Sequence, residues 1–146
     1  MLFKRISRAS AETIFCVAKN VSGSTATAGY HVVWDTGASA DGVRVTQAST
    51  ADLNAYAGIA DSDIANGDYG LLQVYGYRSS AYIFSSTGSS VAGTTYDVRD
   101  SEWGVMPSAA SASSAVNKAF GFMCAAVAAS SSSSYNTTAA VFVRAL

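Results

Sequence analysis

Apolar and polar residues alternate with a period of two along much of this chain. The alternation is clearest in five stretches, which read TIFCVAKN, YHVVWDT, GVRVTQ, YGLLQVYGY and AVFVRAL. Successive side chains of a β-strand point to opposite faces of the sheet, so this period is typical of strands that bury one face. β-Branched and aromatic residues are enriched in the stretches and turn residues lie between them, which predicts roughly eight or nine short strands. We therefore expect an all-β fold, either a β-barrel or a β-sandwich.

The length of the chain fits a single domain of this kind. With 146 residues, it can bury a core of its own without metal or disulfide cross-links. The first twelve residues have little core pattern apart from Leu2, Phe3 and Ile6. We therefore divide the chain into an N-terminal arm, residues 1–12, and a β-domain, residues 13–146.

The alternation also predicts which side chains form the core of the β-domain. The residues that we assign to it are the members of one face of each predicted strand. They are Phe15, Val17, Val33, Val45, Ile59, Leu72, Val74, Phe122 and Val141.

One loop is similar to the catalytic loop of aspartic proteases, because Asp35-Thr36-Gly37 follows an apolar stretch in YHVVWDTGAS. Such an enzyme needs two carboxylates that share a proton, and a homodimer would have to supply the second. A β-hairpin is the alternative, since DTGASADG joins two apolar stretches and contains the turn pair Asp41-Gly42. We favour the hairpin and predict that Asp35 is a turn residue. A protease would instead cleave peptides and lose that activity on Asp35→Asn.

Other catalytic or metal-binding chemistry has little support in the sequence. His31 is the only histidine, and it lies beside no cysteine or carboxylate cluster, so we expect no metal site, no cofactor and no enzyme. Cys16 and Cys124 both lie in apolar stretches, which favours free, buried thiols. A bridge between them remains open if their strands are neighbours.

Charge and hydropathy narrow the range of partners. The net charge is −1 and only 13% of residues are charged, which argues against binding to nucleic acid. No apolar run approaches the ~20 residues of a membrane-spanning helix. The first residues also lack the long apolar core and the cleavage site of a secretory signal.

The stretch AGIADSDIANGDYGLLQVYGY resembles a pattern found in small structural proteins of tailed bacteriophages. The resemblance extends to VAKNVSGSTATAGYHVVWDT and to the closing AAVFVRAL, and covers roughly two thirds of the chain. It implies a virion protein on the capsid surface, a head decoration or cement protein made in the host bacterium. The implied partners are the major capsid protein and further copies of this chain, in a homo-oligomer that we expect to be a trimer.

The arm supplies the candidate interface residues. Its apolar side chains have no evident place in the domain core and its basic side chains are clustered, so both could contact a neighbouring subunit. These residues are Leu2, Phe3, Lys4, Arg5, Ile6 and Arg8. The alternative to a decoration protein is an adhesion module of a fibre or spike, in which aromatic residues would stack on sugars. The candidates for that role are Trp34, Tyr75, Tyr77, Tyr82 and Trp103.

Overall fold

The computed structural model describes residues 12–37, 40–85, 91–107, 120–127 and 135–145. These segments contain nine β-strands and no helix, which confirms the predicted all-β domain. It follows that this part of the chain has no helix able to cross a membrane. The strands are β1 (Ile14–Asn20), β2 (His31–Trp34), β3 (Arg44–Thr46), β4 (Tyr56–Ala60), β5 (Tyr69–Ser85), β6 (Tyr96–Val98), β7 (Val105–Pro107), β8 (Gly121–Met123) and β9 (Tyr135–Arg144).

The first five strands form a closed ring of pairings. β1 pairs with β3, β3 with β2, β2 with β4, β4 with β5, and β5 returns to β1. The β1–β3 ladder is parallel and involves only Lys19 and Asn20 of β1, so the ring closes at the end of that strand. Small and branched side chains fill this barrel, because five strands leave little room inside. They are Ala18, Ala26, Val32, Val45, Ala57, Ala60, Ile64, Leu72 and Val74.

The second half of β5 leaves the barrel and organises a second core. β9 pairs with it in antiparallel orientation and β7 in parallel orientation, while β8 extends β9 and β6 extends β7. A bridge between Thr95 and Phe122 connects the β6 and β8 sides. This second core also includes Val33 and Ile59 from β2 and β4. One strand of 17 residues therefore serves two cores.

A glycine in β5 leaves room for the chain that leads into β1. Gly76 has a φ of +107°, which side-chain-bearing residues rarely adopt, and a Cβ here would collide with the carbonyl oxygen of Glu12. The chain that leads into β1 can therefore lie directly against β5 at this point.

The predicted hairpin is confirmed in the described residues. β2 and β3 are antiparallel, with Val33 opposite Thr46 and Trp34 opposite Val45. A second turn lies in ANGDYG, where the Asp68 N–H donates to the Ala65 carbonyl over 3.0 Å across Asn66-Gly67, a common turn pair.

Six of the nine predicted core residues are buried, and three assignments are wrong. Phe15, Val17 and Phe122 are 41%, 61% and 41% exposed. In β1 the side chains that pack against the barrel core are instead Ile14, Cys16 and Ala18. The strand is apolar on both faces, so its period identified a strand without showing which face is buried.

Candidate interaction surface

Most of the exposed large hydrophobic side chains lie together on one side of the molecule. Eight such residues occur in the described segments, and six of them project outward from the continuous surface formed by β1, β5, β9 and β8. Single exposed apolar residues are normal, but a contiguous group marks an interaction site more often. We call this group the apolar face. It consists of Phe15, Val17, Tyr69, Leu71, Tyr77 and Phe122, together with the half-buried Tyr75 and Phe142.

The first half of the apolar face is built by the β1–β5 ladder. Val17 lies opposite Leu71, and the two side chains are 61% and 45% exposed. Lys19 lies opposite Tyr69, with its Nζ 5.7 Å from the centre of the tyrosine ring. Residues opposite each other in an antiparallel ladder project from the same face, so these pairs form adjacent apolar rows with a cation at the outer end.

The other end of the apolar face is aromatic. Tyr77 lies opposite Phe142, which in turn lies opposite Phe122. The Phe122 and Phe142 rings are stacked, with centroids 5.1 Å apart and planes 5° from parallel. Tyr75 meets Phe142 edge-on at 5.2 Å. These mutual contacts hold the rings in place, so the surface is formed before any partner binds.

A buried glutamine lies in the middle row of the apolar face. Gln73 is opposite Phe15 and only 3% exposed. Its Nε2 donates to the backbone carbonyl of Tyr77 over 3.1 Å and, less closely, to that of Tyr75 over 3.4 Å. Because its amide is bonded within β5, Gln73 adds no polar group that a partner must satisfy.

The dimensions of the apolar face suit a protein surface rather than a small molecule. From Tyr69 to Tyr77 an extended strand covers roughly 26 Å. The face lies on the outer surface of a sheet, whereas small-molecule sites are concave. Within the described segments, no group of three or more His, Cys, Asp or Glu residues is placed to bind a metal ion.

The loop that resembles the catalytic loop of aspartic proteases is held by hydrogen bonds within its own chain. The Asp35 carboxylate accepts a hydrogen bond from the Gly37 N–H over 3.0 Å, so Asp35 is a turn residue, as predicted. The Thr36 hydroxyl donates to Asp52, which also accepts from the Ser49 hydroxyl. These two hydroxyls lower the pKa of Asp52 below its usual value. The loop therefore fastens the β2–β3 connection to residues 49–55.

His31 belongs to the second core. It is 1% exposed, and its Nδ1 lies 2.8 Å from the Tyr56 hydroxyl. The Tyr96 ring packs edge-on against the imidazole at 5.5 Å. Burial, with a smaller effect from the Arg78 charge, lowers the pKa of His31 to about 3. The imidazole is therefore neutral at physiological pH and acts as a core residue.

Both cysteines are free, as predicted, and both are half-buried. Burial raises the pKa of each thiol above its usual value. Cys16 lies on the inward side of β1, and Cys124 directly follows β8.

The structure separates the aromatic residues that were considered for sugar stacking. Tyr75 and Tyr77 belong to the apolar face. Tyr82 and Trp103 instead pack against Tyr30, with ring centroids 4.9 and 5.2 Å from it, in a half-buried cluster. Trp34 is half-buried against the barrel core.

The sequence did not identify Leu71, Tyr69 and Phe142 as surface residues of interest. The available signal was the apolar character of both faces of YGLLQVYGY, since a strand with only one buried face has polar residues on the other. The six candidate residues of the arm, Leu2 to Arg8, lie outside the described residues.

Neither a scan against protein-family models nor a search of curated proteins found a match to this chain.

Proposed function

We propose that this chain is a structural protein of a bacteriophage virion, a decoration protein that binds the major capsid protein and stabilises the head lattice. The observation that carries the proposal is the apolar face, which covers four strands and is preformed. The sequence resemblance to small phage structural proteins supplies the identity of the lattice.

The energetics of such a face suit a permanent assembly. Burying a fully exposed Val, Leu or Phe side chain contributes about 1.5–3 kcal/mol. The residues of the apolar face are already partly buried, so each contributes less than this and the whole face is needed to offset the cost of association. Apolar contact is little affected by salt, because screening acts on charges. Attachment through the face should therefore persist at high ionic strength.

Substituting one residue of the apolar face tests the proposal. Leu71→Asp should weaken binding to heads that lack the protein by at least about tenfold, because it places an unpaired charge in a desolvated contact. Val91→Asp is the matched control, since Val91 is 66% exposed but does not belong to the face. Co-sedimentation with the heads measures binding, and circular dichroism checks that both variants are folded. Equal binding by both variants would contradict the proposal.

The arm is the second proposed contact. Removing residues 2–11 leaves Glu12, which packs against Gly76, and should give a folded domain that decorates heads poorly. The reason is that Leu2, Phe3 and Ile6 would occupy a groove of the neighbouring subunit. The same co-sedimentation assay measures the loss. Full decoration by the shortened protein would show that the arm is dispensable, and failure to fold would assign the three residues to the core.

The aromatic end of the apolar face favours one other candidate, an adhesion module of a fibre or spike. Tyr77 is 44% exposed beside Phe122, and exposed rings can stack on sugars. Gln73 argues against adhesion, because sugar hydroxyls require polar partners and the Gln73 amide is already hydrogen-bonded within β5. Binding to a glycan array by the wild-type chain, lost on Tyr77→Ser, would favour adhesion over decoration.

A further inference from the structure

The turn between β4 and β5 contains a chemically reactive pair, Asn66-Gly67. It is the only Asn-Gly pair in the sequence. A peptide nitrogen that belongs to glycine is uncrowded, because glycine has no Cβ, so it can attack the side-chain amide of a preceding asparagine. Asn66 is also exposed to water, which the reaction needs. The chain therefore has one Asn-Gly site for deamidation, and its reactivity depends on how the fold holds the turn.

The backbone of the turn is in a conformation that keeps the two reacting atoms apart. The Asp68 N–H donates to the Ala65 carbonyl over 3.0 Å, Gly67 has a φ of +90°, and the φ of Asn66 is negative. These features define a type II turn, in which ψ of the first central residue is about +120°. Ring closure instead requires the Asn66 Cβ to eclipse the Gly67 nitrogen, which a ψ of the opposite sign provides. The peptide unit between the two residues must therefore rotate before reaction.

Both reacting groups are also hydrogen-bonded to the segment that follows β1. The Gly67 N–H donates to the Asn20 carbonyl over 2.7 Å, although the nitrogen must give up this proton to react. The Asn66 Oδ1 accepts from the Gly23 N–H over 2.8 Å. Rotation of the peptide unit breaks the first of these bonds together with the turn, so it requires the turn to leave residues 20–23.

Asn20 holds the turn from both sides. Its Nδ2 donates to the Ile64 carbonyl over 2.8 Å, and its backbone N–H donates to the Asp68 carbonyl over 3.0 Å. Asn20 itself is 1% exposed at the end of β1, where the ladder with β3 closes the barrel. The turn is therefore fixed to a buried residue rather than to a loose loop.

We propose that Asn66 is a deamidation site that the fold keeps closed, and that it reacts only when the turn leaves Asn20 and Gly23. The Gly67 nitrogen then attacks the side-chain carbonyl carbon of Asn66, a C–N bond forms, the nitrogen gives up its proton to water and the side-chain nitrogen leaves as ammonia. A water molecule opens the resulting succinimide at one of its two carbonyls. The product is aspartate or isoaspartate, and no oxidant or reductant is needed.

The isoaspartate product would prevent the turn from closing again. Its main chain runs through the side-chain carbon, which adds one atom between residues 66 and 67. The bond from Gly67 to the Asn20 carbonyl and the bond from Asp68 to Ala65 then no longer fit together. Aspartate keeps the normal main chain, and its carboxylate can still accept from the Gly23 N–H. A chain that has opened and formed isoaspartate is therefore marked at the end where the barrel closes.

Peptide mapping by mass spectrometry tests the protection. The full-length chain is incubated in buffer and in concentrated urea at the same mildly alkaline pH, and a short peptide with the sequence IANGDY in both solutions corrects for the effect of urea on the chemistry. We expect deamidation of Asn66 to be at least about tenfold slower in the folded chain, because only the open fraction reacts. Equal corrected rates would overturn the proposal, and so would an unreactive Asn66 in the unfolded chain.

Asn20→Ala tests the contacts that hold the turn. It removes the side-chain bond to Ile64 and should accelerate deamidation of Asn66 in buffer, with circular dichroism to check folding. Leu72→Ala is the control for a general loss of stability, and it should accelerate the reaction less because the bonds of Asn20 remain. A folded Asn20→Ala chain that reacts no faster than wild type would overturn the role of these contacts. The comparison of buffer with urea does not depend on this variant.

The two products are compared after refolding. Asn66→Asp reproduces the aspartate product and should have nearly the urea midpoint of the wild-type chain, whereas the chain that contains isoaspartate should have a lower midpoint. Labelling with an isoaspartyl methyltransferase measures the isoaspartate content. Equal midpoints would contradict the predicted effect on the turn. None of these measurements uses capsids, so their outcomes are separate from those of the decoration proposal.

Discussion

Replacing Leu72 with alanine is expected to lower the free energy of unfolding by about 2–5 kcal/mol. Leu72 is fully buried in the barrel core, where Val74 and Ile64 belong to the same cluster. The substitution removes buried apolar atoms and leaves a cavity, because a closed five-stranded barrel can collapse only partly around the lost volume. Urea denaturation followed by circular dichroism measures the change.

Leu71→Ala is the matched control for this prediction. It removes the same atoms from the next residue of β5, but Leu71 is 45% exposed on the apolar face. We expect its effect on stability to remain below about 1 kcal/mol. Similar losses in the two variants would show that the inward and outward faces of β5 are wrongly assigned, or that Leu71 is buried in an assembly.

Stability is also expected to fall by about 2 kcal/mol between pH 7 and about pH 5 through His31 alone. The pKa of His31 is lowered to about 3 in the fold, mainly by burial, from an unfolded value of 6.5. The unfolded chain therefore binds a proton in this range and the folded chain does not. Stability is lost as the pH falls below the unfolded value, and the loss continues until the folded value is reached.

His31→Asn isolates this effect. Asparagine can present a polar atom near the position of Nδ1 and so keep a partner for the Tyr56 hydroxyl, but it does not titrate. The pKa of Asp52 is lowered in the fold from 3.8, so its contribution is lost only at more acidic pH. Urea midpoints between about pH 5 and 7 should shift in the wild-type chain and stay nearly constant in the variant. An equal shift in both would assign the acid sensitivity to other groups.

The existence of the strands was predictable, because alternation by two residues reports strand geometry directly. The hairpin at residues 31–46 was predictable because a turn pair lies between two apolar stretches, and Asn66-Gly67 is a turn pair of the same kind. The buried face of β1 was not. Two of its inward side chains, Cys16 and Ala18, are small, whereas its outward Phe15 and Val17 are larger and apolar, so the hydrophobic pattern favours the wrong face.

The pairing of strands that are distant in the sequence was not predictable either. The parallel ladders β1–β3 and β5–β7 join strands whose pairing depends on packing rather than on a turn. The 17-residue β5 reads as one strand only where YGLLQVYGY alternates, and its continuation into a second core follows from contacts made far along the chain. The apolar face combines residues from four strands, so no single stretch of sequence contains it.

Because β5 belongs to both cores, it couples their unfolding. Leu72 and Val74 of β5 belong to the barrel core, while Ala81 and Ile83 of the same strand belong to the second core. Neither core can lose β5 without opening the other, so partial unfolding that leaves one half intact has no low-energy route. Exposure of β5 to a protease in either core then requires both cores to open, so the described β-strands resist proteolysis as one unit.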